Sequence, residues 1–149
     1  MKMDSNLKRS IILEHYSNPH NRGLIDDETY KKVNMNNESC IDEVNLMLKI
    51  EKDRIVDARF DGEACAMCIS SSSIMTDLLI GKSVKEANDI LKNFLSMVKE
   101  EKYDENVLQE ATVYEDVSKT PNREKCVLLP WWGAEKILNE LKPSVKEER

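Results

Sequence analysis

The sequence predicts a single α+β domain in which a small antiparallel three-stranded sheet packs against about five helices. Two observations predict this class. Apolar and polar residues alternate between residues 30 and 60, which is typical of half-buried strands, whereas apolar residues in later segments recur at helical spacing. The strands precede most of the helices, and no parallel crossover is visible. Because no repeat or linker divides the chain, we expect one domain over residues 1–149.

The first helix is expected to begin at Ser5, because serine is a good N-cap, and to end at residues 18–19 (Asn-Pro). Turn residues follow. The first strand is expected from about Tyr30, and residues 44–60 are interpreted as a hairpin that turns at Lys52-Asp53.

The second half of the chain is predicted to be helical. One helix follows the small residues after Gly62 and ends at Gly81, which suits a C-cap. Ser83 is expected to cap the next helix, residues 84–98. A short helix around residues 107–111 and a last helix beyond Arg123 complete the set, and the ordered core is expected to span about residues 6–141, with residues 142–149 as a frayed tail.

Charge and hydropathy exclude several functions. The chain has 22 Lys and Arg against 28 Asp and Glu, a net charge of −6, so it lacks the basic balance that nucleic acid requires. The longest apolar run near the start is residues 11–13, far shorter than a secretory signal, and no later run approaches the ~18 residues of a membrane span. We therefore expect a cytoplasmic protein that binds neither nucleic acid nor membrane.

The four cysteines are the best candidates for chemistry. In a reducing compartment, cysteines bind metals or react more often than they form disulfides. Cys40, Cys65 and Cys126 each lie near the end of a predicted element, where ligands are usually mounted. If they converge with Asp42, three thiolates and one carboxylate would suit tetrahedral zinc or an iron–sulfur cluster. The spacing alone leaves other interpretations open: simple packing for Cys65 and Cys68, a redox-active CxxC, and a solvated loop carboxylate for Asp42.

Four sequence segments, taken together, indicate the function more specifically than the spacing of the cysteines does. They are HYSNPHNRG (15–23), CID (40–42), FDGEACAMCISSSSIMT (60–76) and REKCVLL (123–129). In this order they closely resemble the U-type iron–sulfur cluster assembly proteins, the NifU/IscU-like family, over about residues 6–141. An insertion over residues 99–120, and Lys125 where IscU-like proteins place a histidine, indicate the SufU branch. The resemblance implies an α+β fold with a small sheet covered by helices and a site at one end.

The resemblance also implies roles for individual residues. Cys40, Asp42, Cys65 and Cys126 match the metal ligands of the branch, and Cys40 matches the cysteine that accepts sulfur from a pyridoxal-phosphate-dependent, SufS-like cysteine desulfurase. Arg123 matches a basic residue near the site. The implied function is that of a zinc-dependent sulfur acceptor and carrier in iron–sulfur cluster biogenesis, which acts as a partner of the desulfurase rather than as a stand-alone enzyme.

Two alternatives accompany this interpretation. One is a scaffold that assembles a transient [2Fe–2S] cluster on Cys40, Cys65 and Cys126 and transfers it to apoproteins. The other is a degenerate family member that keeps only a structural zinc. Ile41 and Ala64 stand where the family has glycine, and Cys68 stands where it has serine. The Cys68 thiol could compete as a ligand, act as a resolving thiol or simply pack.

Overall fold

The computed structural model describes residues 3–37 and 42–141 and confirms the predicted α+β class. Within these ranges the chain forms five α-helices and one antiparallel sheet of three strands. The elements in order are α1 (Ser5–Ser17), β1 (Tyr30–Asn36), β2 (Glu43–Glu51), β3 (Arg54–Glu63), α2 (Ala66–Leu79), α3 (Val84–Val98), α4 (Glu105–Leu108) and α5 (Pro121–Asn139). Two 3₁₀ helices, Gln109–Tyr114 and Val117–Lys119, lie between α4 and α5. Cys40 and the predicted tail lie outside the described residues.

One predicted helix start agrees with the structure, and others differ from it by one or two residues. Ser83 caps α3 as predicted: its hydroxyl accepts the N–H of Glu86 at 3.0 Å, and the Glu86 carboxylate accepts the N–H of Ser83 at 2.8 Å. Helix α1 is capped by Asp4 rather than by Ser5, because the Asp4 carboxylate accepts the N–H of Leu7 at 2.8 Å. Helix α5 begins at Pro121, a residue that suits the first helical turn.

Helix α2 is the centre of the molecule. It packs against α1, α5 and β3, and most of its residues are buried. Its four consecutive serines, residues 70–73, are fully buried. Their small side chains let neighbouring elements approach α2 closely, and each hydroxyl must find a partner because a buried polar group without one is costly.

Two of these hydroxyls, those of Ser70 and Ser71, bond to segments that follow α3, and that of Ser72 bonds within α2. The Ser70 hydroxyl lies 2.5 Å from the Tyr114 hydroxyl, which the 3₁₀ helix Gln109–Tyr114 supplies. The Ser71 hydroxyl donates to the carbonyl of Val127 at 2.7 Å and accepts the indole N–H of Trp131 at 2.8 Å. The Ser72 hydroxyl donates to the carbonyl of Cys68 in its own helix at 2.9 Å. Helix α5 is thus joined to α2 by polar contacts inside the core.

The sheet has the strand order β1-β2-β3, and α2 and α5 contact it. Alternate residues of β2 and their neighbours on β3 supply most of its buried apolar side chains: Val44, Leu46, Leu48, Ile55, Ala58 and Phe60. Gly133 of α5 lies directly against β1, since a Cβ atom there would be 2.9 Å from the Met35 side chain. A larger residue at position 133 would therefore displace the Met35 side chain or α5 itself.

The segment after α1 runs along β3. The N–H of Gly23 donates to the carbonyl of Phe60 at 2.7 Å, and the N–H of Phe60 donates to the carbonyl of Asn21 at 3.1 Å. The Arg22 guanidinium donates to the carbonyl of Gly62 at 2.9 Å. Residues 15–23 thus connect α1 to the end of β3. No helix in the described part of the chain is both long and apolar enough to cross a membrane.

The polar contact between α2 and α5 can be tested with two neighbouring serines. Ser71→Ala leaves the buried indole N–H of Trp131 without its acceptor, so we expect the free energy of unfolding to fall by about 1–3 kcal/mol. Ser72→Ala is the matched control: the Cys68 carbonyl keeps its helical N–H partner, and the expected loss is less than about 1 kcal/mol. Urea unfolding measures both, and an equal loss in the two variants would contradict the assignment.

Candidate metal centre

Three elements meet at one end of the sheet and bring a carboxylate and two thiols together. Asp42 immediately precedes β2, Cys65 is the N-cap of α2, and Cys126 lies in the second turn of α5. One potential ligand atom of each residue lies within 4.8 Å of the others. Convergence of these three residues is the arrangement that the element ends in the sequence suggested.

The pairing of β2 with β3 determines where Asp42 and Cys65 lie. Glu43 pairs with Glu63, so the start of β2 lies beside the end of β3. Gly62 has a φ angle of +149°, and a Cβ atom there would lie 2.0 Å from the carbonyl oxygen of Glu43. Only glycine allows the two strands to approach this closely, next to the site.

Asp42 is bonded directly to the start of α2. One carboxylate oxygen accepts the backbone N–H of Cys65 at 2.8 Å, and the Cys65 thiol donates to the other oxygen at 3.5 Å. Asp42 is only 2% exposed, whereas Cys65 is exposed. A negative charge on Asp42 is stabilised here by the positive end of the α2 dipole and by the N–H of Cys65.

Cys126 completes the group from the opposite side. It is 8% exposed, and this burial raises the pKa of its thiol, while neighbouring Asp42 and Cys65 raise that pKa further. Negative charge gathered in a buried site is stabilised by a divalent cation, which deprotonates the thiols it binds. Two sulfurs and one carboxylate oxygen are donors that zinc accepts. The donor set therefore fits zinc.

The remaining predicted site residues lie as follows. Arg123 is exposed on α5, one turn before Cys126. Cys68 is fully buried in the first turn of α2 and does not belong to the three-residue group. Cys40 lies outside the described residues.

Two further features were not predicted from local patterns. The need for glycine at position 62 follows from the strand pairing at the site. A second group of possible ligands, His15, His20 and Asp77, lies elsewhere, with its ligand atoms also within 4.8 Å of one another. Asp77 follows His20 by 57 residues, so no local spacing links them.

The fold and site define a small α+β domain with a cysteine–aspartate centre at the end of its sheet. Residues 7–127 match the family model described as NifU-like N terminal domain. The chain belongs to this family, which includes the SufU and IscU proteins, and this confirms the resemblance found in the motifs.

Curated relatives cover most of the chain. It is 37% identical over 131 residues to the zinc-dependent sulfurtransferase SufU of Bacillus subtilis, covering 87% of this chain and 88% of the relative. It is 35% identical over 143 residues to the iron-sulfur cluster assembly scaffold protein IscU of Streptococcus pyogenes, covering 95% and 84%.

Solved structures agree with these relatives. A crystal structure of an iron-sulfur cluster assembly scaffold protein for the SUF system from Fervidobacterium islandicum is 34% identical, with a TM-score of 0.76 over 86% of this chain and 93% of that one. The N-terminal part of a NifU-like protein from Brucella abortus, 22% identical with a TM-score of 0.77, shares the fold over 94% of this chain and 99% of that one.

The different surroundings of the two thiols predict different reactivity. In metal-free protein near pH 8, we expect iodoacetamide to modify Cys65 at least about tenfold faster than Cys126, because Cys126 is buried and its raised pKa leaves little thiolate. Peptide mass spectrometry over time measures both rates in the same sample. The two rates should become similar in urea, where the protein is unfolded. Similar rates in the folded protein would contradict the burial and the raised pKa of the Cys126 thiol.

Proposed function

We propose that this protein is a zinc-dependent sulfur acceptor and carrier in iron–sulfur cluster biogenesis, which takes persulfide sulfur from a SufS-like, pyridoxal-phosphate-dependent cysteine desulfurase. The observation that carries the proposal is the convergence of Asp42, Cys65 and Cys126 at one end of the sheet. The description of the Bacillus subtilis relative as a zinc-dependent sulfurtransferase supports it.

Cys40 is the proposed sulfur acceptor. It precedes Asp42 by two residues in the sequence. The N–H of Asn37 donates to the carbonyl of Asp42 at 3.1 Å, so the chain leaves β1 and enters β2 at the same end of the sheet. The described residues on either side of positions 38–41, Asn37 and Asp42, therefore lie at the end of the sheet that holds the metal centre.

Asp42, Cys65 and Cys126 would hold zinc, with Cys40 as the fourth ligand. When bound, zinc supplies the positive charge that keeps sulfur ligands deprotonated, and it has no redox chemistry of its own. The protein's part is to position the donors: Asp42 is fixed by the N–H of Cys65, and Cys126 is held in the buried part of α5. Carboxylate oxygen suits zinc less strongly than sulfur, so Asp42 is the labile ligand.

Sulfur transfer needs the Cys40 thiolate as nucleophile. The thiolate attacks the outer sulfur of the desulfurase persulfide, and a new S–S bond forms on Cys40. The S–S bond within the desulfurase persulfide breaks, and the desulfurase cysteine leaves as a thiolate, so no external oxidant or reductant is consumed. Arg123, exposed one turn before Cys126, is proposed as an auxiliary positive charge at the rim. The cytoplasm, where thiols stay reduced, is the proposed compartment.

Zinc binding tests the ligand set. We expect about one zinc per chain, lost in Cys65→Ser and Cys126→Ser. Asp42→Asn is the sharpest variant, since an amide oxygen can still accept the N–H of Cys65 while the charge is removed. Its zinc affinity should fall more than about tenfold with the fold intact. Competition with a chromogenic chelator measures the affinity, and circular dichroism monitors the fold.

Cys68→Ser is the matched cysteine control for this set. Because Cys68 lies outside the three-residue group, this variant should keep its zinc. Retention of zinc by Asp42→Asn together with its loss from Cys68→Ser would show that the ligand set is wrong.

Sulfur transfer is tested with a cysteine desulfurase and cysteine. We expect the protein to raise desulfurase turnover and to gain one sulfur atom on Cys40, as seen in the mass of the intact protein and its peptides. Cys40→Ser should abolish both effects because a hydroxyl is a far weaker nucleophile than a thiolate. Cys68→Ser should retain both. Unchanged turnover with Cys40→Ser would favour the degenerate member with a structural zinc.

The scaffold function is the second candidate, favoured by the 35% identity to the IscU scaffold protein of Streptococcus pyogenes. In that case Cys40, Cys65 and Cys126, with Asp42, would hold a transient [2Fe–2S] cluster as cargo for apoproteins. Anaerobic reconstitution with iron and sulfide distinguishes the candidates: a scaffold gives a brown protein with charge-transfer absorption that Cys40→Ser abolishes, whereas a sulfur carrier stays colourless.

A further inference from the structure

A second group of possible metal-ligating side chains lies beside the C-terminal half of α2. It comprises His15 from α1, His20 from the turn that follows, and Asp77 from α2. A ring nitrogen of each histidine and a carboxylate oxygen of Asp77 lie within 4.8 Å of one another. The two rings are close, with centroids 4.7 Å apart and planes tilted by 52°. Asp77 is 12 residues beyond Cys65, about 18 Å along the helix axis, so this group is separate from the cysteine–aspartate centre.

Buried Ser73 holds both histidines in place. Its hydroxyl lies 2.7 Å from Nδ1 of His15 and accepts the backbone N–H of His20 at 2.7 Å. One ring nitrogen of His15 is thereby occupied by a neutral hydroxyl. The other, Nε2, lies 3.0 Å from the Glu110 carboxylate. A hydrogen bond to one nitrogen that fixes the ring is the usual support of a metal-binding histidine.

Asp77 is oriented in the same way. The Asn21 side-chain amide donates to one oxygen of the Asp77 carboxylate at 2.9 Å, and it also donates to the Thr76 hydroxyl at 3.0 Å. The other carboxylate oxygen lies 2.5 Å from Nδ1 of His20. Each imidazole thus faces a carboxylate, and a cation can take the place of the proton between such groups.

The group is accessible on one side and rigid on the other. His15 is 4% exposed, whereas the His20 and Asp77 side chains are 50% and 42% exposed. A cation can therefore reach His20 and Asp77 from solvent, and their exposed side chains can adjust by rotation. Buried His15 is the fixed ligand, and the side chains of His20 and Asp77 can rotate towards the bound cation.

We propose that His15, His20 and Asp77 form a second metal site that binds a divalent first-row transition cation such as Fe²⁺, Co²⁺ or Zn²⁺. Two imidazole nitrogens and one carboxylate oxygen are the donors such cations accept, and this set leaves positions open for water or a further ligand. The Glu110 carboxylate contacts His15 but lies outside the three-residue group. On binding, the cation takes the place of the hydrogen between His20 Nδ1 and the Asp77 carboxylate, and a neutral imidazole keeps that proton on Nε2. The site does not depend on the function proposed for the cysteines.

The experiment uses Co²⁺ as a paramagnetic probe and follows the histidine ring protons by NMR. The chain contains two histidines, so His20→Gln assigns both signals. The full-length protein is first loaded with one equivalent of zinc, and Co²⁺ is then added. We expect both histidine signals to broaden below one equivalent of Co²⁺. Thiolate-bound Co²⁺ absorbs intensely in the near ultraviolet, so occupancy of the cysteine centre is read separately.

Variants decide between a binding site and a purely structural network. His20→Gln and Asp77→Asn should each weaken Co²⁺ binding at least about tenfold. Asp89→Asn, which removes one exposed carboxylate on α3, is the matched control and should bind as the unaltered protein does. In Asp77→Asn the new amide carbonyl can still accept the hydrogen bond from the Asn21 side chain, so we expect this variant to fold.

Two results would overturn the proposal: histidine signals that stay sharp at several equivalents of Co²⁺, or equal affinity in Asp77→Asn and the control. Because the histidine signals report on this group alone, failure here is distinct from failure to bind zinc at the cysteines.

Discussion

The burial of helix α2 is the constraint on which the rest of the structure depends. A helix surrounded by α1, α5 and β3 needs small side chains where its neighbours pack closely, and the four consecutive serines provide them. Their hydroxyls would be costly inside the core without partners, and each one has a partner in the structure. Tyr114, Trp131 and His15 reach these hydroxyls from three different elements. The serines therefore determine both how closely the neighbouring elements pack and which polar residues they must present.

The same burial decides where chemistry can occur. Most of α2 is closed to solvent, whereas Cys65 is exposed at its N-terminus. Here the positive end of the helix dipole meets the carboxylate of Asp42, and the strand pairing at Gly62 brings that carboxylate into place. Cys126 approaches from α5, which Ser71 joins to α2. The geometry of the cysteine–aspartate centre is thus a consequence of packing around one helix.

Helix α2 also separates two groups of different chemical character. The group at its N-terminus has sulfur donors and a buried carboxylate, a combination that suits zinc. The group near its C-terminus has imidazole and carboxylate donors and is partly open to solvent. The histidine group also connects α1 to α2 through Ser73, so a cation bound there would act on the same contact that holds α1 in place.

Local patterns in the sequence determined the α+β class, the three strands, the cap of α3 and the candidate ligands Cys40, Asp42, Cys65 and Cys126, because periodicity, capping and motif order are properties of neighbouring residues. They misplaced the cap of α1, where Asp4 and Ser5 are both good N-caps and only the path of the chain selects one. Tertiary structure alone decided that Asp42 bonds to the first N–H of α2, that Gly62 cannot carry a side chain, and that His15 and His20 meet Asp77. These relations join residues from different elements of the chain, and such contacts arise only when the elements pack.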